Sequence, residues 1–422
     1  MAIRFYNARI ISMSNKLPQL ITGELWVDGS SITYVGESVK NRDCIFEKEI
    51  DCKGNILMPG LKNAHTHTAM TFARSFSDNL PLDEWLNTRI FPMEAKLNDD
   101  CIYYFSTLGF AEYIRNGITS GFDMYFNYPQ YAKACIDSGF RSVYCGSVNN
   151  FGGIDRLENE FIEYNQKHEL LSMVLGFHAE YTTSPEIMKT ISDIAHKYEA
   201  PVFVHNSETK KEVEECIGRY GKTPTAVLDE LGLYDFGGGG FHCVWFDDND
   251  CEIFKKRNLY AVTNPCSNLK LASGICNLKK FYDLGINVAI GTDGAGSNNA
   301  LDMFREMYLA SVLSKITSGD ASAIEPYEVI RSAVSVGARA MGLDDCDALE
   351  AGKKADIIML DISAPNMQPI NNVISNIIYS ANPSNVIMTM INGKILYENG
   401  NFTTIDTERI NSECNRLMET FN

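Results

Sequence analysis

Between residues 55 and 292 the chain alternates eight strand-like runs with helical stretches, and few architectures accept that pattern. The strand candidates are 55–60, 118–124, 141–146, 172–178, 201–205, 239–244, 259–263 and 287–292. Helical stretches such as 101–116, 128–139, 185–199 and 250–257 lie between them. Eight strands with intervening helices predict an α/β fold of the closed (β/α)8 TIM type. A doubly wound open sheet is the competing architecture. It is disfavoured because no glycine-rich dinucleotide fingerprint follows the first strand. The run Gly237–Gly240 precedes a strand and reads as a loop permitting close packing.

The two ends of the chain have a different character. Residues 1–57 read as short strands, with a turn at Asp28-Gly29-Ser30. Strand-like runs return at 355–360 and 386–390, and Asn392-Gly393 leads into 394–397 as a hairpin turn would. We therefore expect 1–57 and 345–422 to be the two halves of one small β-sandwich domain, the second carrying a terminal helix. They flank a catalytic barrel at 58–344. A chain of 422 residues has length enough for both.

Composition narrows the partners. The net charge of −17 repels phosphate backbones and anionic lipid, so neither nucleic acid nor a membrane is expected. No run is long and apolar enough for a membrane span, and no signal-like segment opens the sequence. The twelve cysteines include no C-x-x-C pair and read as free thiols of a reducing compartment. A cytoplasmic homo-oligomer acting on a small molecule is the expectation.

The chemistry sits on histidines at strand ends. Of seven in the chain, five fall at or near the C-terminal end of an expected barrel strand: His65, His67, His178, His205 and His242. Active sites of such barrels are built at that end. In His65-Thr66-His67, residues two apart in an extended chain face the same side, so both imidazoles can meet one ion. His205 adds a third nitrogen, and Asp293 in Gly291-Thr292-Asp293-Gly294 adds a carboxylate. Three histidines and an aspartate suit zinc, with iron as the alternative. Glu208, three residues after His205, is placed to shuttle a proton from an activated water to a leaving group. His242 can steady that water or polarise the substrate. His168 and His196 lie in connecting or helical stretches and read as surface residues.

These residues resemble a known family. Met58-Pro59-Gly60-Leu61-Lys62-Asn63-Ala64-His65-Thr66-His67 looks like the signature of the amidohydrolase superfamily. His205-Asn206-Ser207-Glu208, His242-Cys243, Asn264–Leu271 and Gly291–Asn299 extend the likeness to its cytosine deaminase and triazine hydrolase branch. Within that branch the chain is most similar to 5′-methylthioadenosine/S-adenosylhomocysteine deaminases. The resemblance implies one divalent metal ion, held by His65, His67, His205 and Asp293. It implies Glu208 as proton shuttle, with His242 and Asp293 orienting the water. Two-metal relatives carry a lysine at the end of strand four, where this chain reads Gly176-Phe177-His178-Ala179-Glu180. A single ion is therefore expected.

For the substrate, the resemblance implies Trp85, Glu94 toward ribose hydroxyls, Arg156 near the ribose tail, and Ser297. Two departures stand out. A second family arginine, suited to a substrate carboxylate, has no counterpart in Tyr144-Cys145-Gly146-Ser147. Where the family has a Pro-His pair, this chain has Ala179-Glu180, with His178 two residues earlier. A Glu180 turned into the pocket would favour a base presenting an N–H group, because an ionised carboxylate only accepts hydrogen bonds. The expected activity is hydrolytic deamination of an amino-substituted heteroaromatic ring, with an adenine nucleoside leading. A guanine, pterin, cytosine or triazine ring is the alternative on the same scaffold, and a metal-free binding protein is the alternative of another class.

Overall fold

A computed structural model describes residues 1–40, 44–76 and 78–421. Eight parallel strands form the barrel: Leu61–Thr66, Ile118–Met124, Arg141–Cys145, Leu171–Ala179, Val202–Asn206, Gly238–His242, Tyr260–Thr263 and Asn287–Ile290, each paired with the next. The last strand comes back to the first through side chains. Asn63 donates to Thr292 Oγ1 at 2.7 Å, and its own Oδ1 accepts from the Thr292 N–H at 2.8 Å. The Asp293 N–H donates to the His65 carbonyl at 3.0 Å. Gly291 permits this closure, since a Cβ there would lie 2.6 Å from the His65 nitrogen.

Side chains fill the barrel interior. Ala64, Phe122, Val143, Val174, Phe203, Phe241, Val262 and Ala289 form one buried cluster drawn from all eight strands. Their alternation along each strand decides what points inward higher up. In the fifth strand Phe203 fills the core, and His205, two residues on, emerges above it. The glycine run Gly237–Gly240 enters the sixth strand itself. Gly238 has φ +115°, and a Cβ on it would sit 1.9 Å from the Val202 carbonyl oxygen, so the fifth and sixth strands could not approach.

The first barrel strand lies later than the sequence pattern suggests. Ile56–Pro59 is not in the barrel; it pairs with Ile357–Leu360 and Ala2–Ile10 in the other sheet. The barrel strand is Leu61–Thr66, one residue further along, and it contains His65. Gly60, the last residue of the apolar run 55–60, separates the sheet strand Ile56–Pro59 from the barrel strand Leu61–Thr66.

Both chain ends build that second sheet. It is a nine-stranded mixed sheet in the order 401–402, 394–398, 386–391, 357–360, 56–59, 2–10, 21–28 and 31–36, with Lys48–Asp51 also on the 2–10 strand. The helix Thr407–Glu419 closes the chain. Eleven of the cysteines are buried and all twelve are free.

A buried charge group joins the two units at the base of the barrel. Arg141, on the third barrel strand, donates to Asp356 through Nε at 2.8 Å and a second nitrogen at 3.1 Å. The buried Lys62 ammonium donates to Thr119 Oγ1 at 2.7 Å and lies 3.9 Å from Asp356. Burial alone would raise the Asp356 carboxyl, but Arg141 and Lys62 outweigh it and hold it down to about 2. A depressed carboxyl adds stability that is full above its unfolded value, near 4, and is lost as pH falls toward its folded value. We expect R141M to leave Asp356 short of its main partner and cost about 3 kcal/mol. Urea melts across pH should show the loss, together with acid unfolding that begins at higher pH than in the parent.

Candidate metal centre and active site

The site lies at the C-terminal ends of the barrel strands. His65 ends the first strand and stacks on Phe241, with ring centroids 3.9 Å apart. His67 follows it and faces inward. The ligand atoms of His65, His67 and His205 all lie within 4.8 Å of one another, and so do those of His65, His242 and Asp293. Asp293 Oδ1 sits 3.2 Å from His67 Nε2 and 3.6 Å from His65 Nε2. Backbone at this rim is held in unusual conformations. Ser207, His242, Cys243 and Asp293 all have positive φ, between 50° and 72°. Such geometry persists where surrounding contacts over-determine it, and it clusters at functional sites.

His67, His205 and His242 are each oriented by a partner on the far nitrogen. His67 Nδ1 donates to the Met124 carbonyl at 2.5 Å, and His205 Nδ1 donates to the His178 carbonyl at 2.7 Å. Both therefore turn Nε2 lone pairs into the cluster, as metal-binding histidines do. His242 Nδ1 is 2.7 Å from Asn268 Oδ1. Asp293 Oδ2 accepts from Ser267 at 2.6 Å and from Ser297 at 2.7 Å, while Oδ1 accepts from the Gly294 N–H.

The electrostatics fit a bound cation. Burial, together with the neighbouring imidazoles, drives His65 and His205 well below the ordinary histidine value, so both are neutral and able to coordinate. Neither ring nitrogen of buried His65 has a protein partner. An unpaired polar atom in such a place is costly. Burial also opposes charge on His67, but Asp293 outweighs it and lifts the imidazole to about 9. The cluster thus favours positive charge at its centre. Three nitrogens and one carboxylate oxygen match a divalent metal, and no thiolate competes.

Glu208 is buried beside this cluster, with Oε2 3.7 Å from His242 Nε2 and Oε1 accepting from Ser273 at 3.1 Å. Burial raises its carboxyl above the usual range. Glu212, four residues on, accepts from the backbone N–H groups of Ser207 and Glu208, each at 2.8 Å, and so sets the path of the segment after the fifth strand. Burial and the charge of Glu208 push Glu212 up to about 8.

One pocket opens over these groups. His67, His178, His205, Glu208, His242, Asp293 and Ser297 line its floor and one side. Trp85 and Glu94 line it from the helical segment 82–94, which is π-wound between 86 and 90. Glu94 accepts from the Tyr125 hydroxyl at 2.7 Å, and burial raises its carboxyl. Tyr125, Tyr181, Ser267 and Ser273 have no part in the sequence reading. Tyr125 directly follows a strand end, and Ser267 stands within the Asn264–Leu271 motif; those were the available signals.

Two expected substrate residues are placed elsewhere. Glu180 does not line the pocket. Its carboxylate is buried in an ion pair with Arg219, on the helix Lys210–Tyr220. The idea that Glu180 selects the base therefore gives way to His178, which does face the pocket and whose Nδ1 lies 2.9 Å from Thr182 Oγ1. Burial pushes His178 down to about 4, so it is neutral. Arg156 lines a separate small recess that shares Phe126 and Ser147 with the main pocket. Its side chain is 62% exposed and faces Glu160 at 3.9 Å. We expect H178A to lower kcat/KM by about 10–100-fold, from lost hydrogen bonding to substrate. E180Q should cost about 1–2 kcal/mol of stability while leaving kcat/KM nearly unchanged. Steady-state kinetics beside thermal melts separate the two.

A closed parallel barrel with a divalent-metal cluster at its strand ends is the class of protein this fold and site define. The Amidohydrolase family matches residues 56–396, and the chain belongs to it. It is 37% identical over 413 residues to a 5-methylthioadenosine/S-adenosylhomocysteine deaminase of Thermoanaerobacter pseudethanolicus, covering 96% of this chain and 95% of that one. It is likewise 37% identical over 409 residues to a 5'-deoxyadenosine deaminase of Methanobrevibacter smithii, covering 94% of each. Among solved structures, an adenosine deaminase from Xanthomonas campestris with bound zinc superposes with a TM-score of 0.94. That pair is 30% identical, over 100% of this chain and 98% of that one.

Proposed function

We propose that the chain is a single-metal hydrolase that deaminates adenine nucleosides, with zinc as the ion. The observation that carries this reading is the clustering of His65, His67, His205 and Asp293, the last three of which line one pocket together with Glu208. The relatives named above support the substrate class. His65, His67, His205 and Asp293 would hold the ion. When bound, it supplies a Lewis acid that makes a water nucleophilic near neutral pH.

The rest of the chemistry falls to the protein. Glu208 takes the proton of the attacking water and delivers it to the ring nitrogen next to the amidine carbon. A second proton passes through Glu208 to the exocyclic amine, which leaves as ammonia. His242 and Asp293 orient the water, Asp293 itself held by Ser267 and Ser297. His178 contacts the base, Trp85 packs against the substrate, and Glu94 accepts from ribose hydroxyls. Ser297, which lines the same pocket, completes the substrate contacts.

The reaction run in 18O-labelled water tests this directly. One label should enter the ring carbonyl of the product, with one ammonia released per turn. Unlabelled product, or turnover without ammonia, contradicts it. Among the described residues no helix is long and apolar enough to cross a membrane. A cytoplasmic homo-oligomer that does not bind nucleic acid belongs to the same reading, and light scattering at native concentration reads the oligomeric state.

A further inference from the structure

The carboxylates that line the pocket have no lysine or arginine partner within it among the described residues. Glu94, Glu208 and Asp293 contribute acid groups, and among the described lining residues there is no lysine or arginine. Among the described residues lining the mouth outside it, the one lysine or arginine is Lys211, in company with Asp83, Glu212 and Glu215. Lys211 is already engaged, 2.7 Å from Asp83 and 3.8 Å from Glu215. Beyond the metal cluster the lining includes the apolar Ile90, Phe91 and Phe126, interrupted by Ser147 and Asn149. Ser147 donates to the Tyr125 carbonyl at 2.8 Å.

Backbone packing keeps a long side chain out of the neighbouring position. A Cβ at Gly146 would lie 2.6 Å from the Gly176 carbonyl oxygen and 2.8 Å from Leu157. Arg156 stands in the adjoining recess and faces Glu160. A carboxylate on the substrate would thus be desolvated against like charge with no partner, which strongly disfavours binding. An uncharged group would meet apolar contacts and two small polar side chains.

We propose that this pocket selects adenine nucleosides whose 5′ substituent is uncharged, and discriminates against those bearing a carboxylate. The inference rests on the deaminase reading above and narrows its substrate class. Charge is the selecting property, so it must appear between substrates of equal size.

The test compares kcat/KM for adenosine 5′-carboxamide and adenosine 5′-carboxylate, with 5′-deoxyadenosine as a reference, on metal-loaded protein. The carboxamide should exceed the carboxylate by about 100-fold. Ser147→Arg places a cation in that lining and should narrow the carboxamide-to-carboxylate ratio by about tenfold or more. Arg156→Met should leave the ratio as it is. Carboxylate and carboxamide turned over within about threefold of each other would overturn the proposal and leave the deaminase reading standing. A 100-fold ratio that Arg156→Met changes would also overturn it, since the selecting group would then be Arg156. Failure of all three nucleosides to release ammonia would instead overturn the deaminase reading, and this inference with it.

Discussion

Glu208→Gln is expected to reduce turnover by about 10³-fold or more while leaving metal content and melting temperature nearly unchanged. The substitution keeps the shape of the side chain and its contact with Ser273. What it removes is the ability to carry a proton. Glu208 belongs to neither cluster of candidate metal ligands, so the ion should stay. It is buried next to His242, and within the pocket Glu94 lies on another element, bonded to Tyr125. A nearby carboxyl is thus not placed to take over. Steady-state rates with elemental analysis of the same samples check the prediction. Parent-like activity in E208Q would take Glu208 out of the mechanism.

The second large effect concerns the ligands. His65→Ala should lower bound metal at least tenfold and turnover by a similar or larger factor. His65 is central to both ligand groupings, and its ring nitrogens have no protein partner. Removing it costs coordination without breaking a hydrogen bond. It also uncovers Phe241, on which it stacks, so some loss of packing accompanies the change. Asp293→Asn gives a cleaner charge test. It retains the place of Ser267 and Ser297 beside the side chain but withdraws the negative charge that supports positive charge at the centre. Metal content measured after dialysis against a weak chelator should fall in both variants. Full metal in both would show that the ion binds elsewhere.

Much of the site was legible because the barrel imposes a simple rule on the sequence. Strand side chains alternate, and functional ones gather at one end. His65, His67, His205, His242 and Asp293 obey that rule, and Glu208 follows one of the strand ends closely. What escaped depends on contacts far apart in the chain. Glu180 looks like a pocket residue until Arg219, thirty-nine positions on, is brought against it. Arg156 carries the right charge in the right stretch, but its helix presents it to solvent beside Glu160. The first barrel strand was misplaced because the apolar run 55–60 ends one residue before it, and only pairing partners distinguish the two sheets. Cross-links such as Asn63 with Thr292 and Arg141 with Asp356 likewise have no local signature.

The central claim is that a metal at these strand ends and Glu208 together deaminate an adenine nucleoside. Ammonia release measured on zinc-loaded protein tests it most directly, with adenosine, 5′-deoxyadenosine and 5′-methylthioadenosine run beside guanine, a pterin and cytosine. The account predicts release from the adenine nucleosides, abolished by chelation and restored by zinc. Release from guanine, the pterin or cytosine alone, or from the nucleosides equally well in metal-free protein, would contradict it.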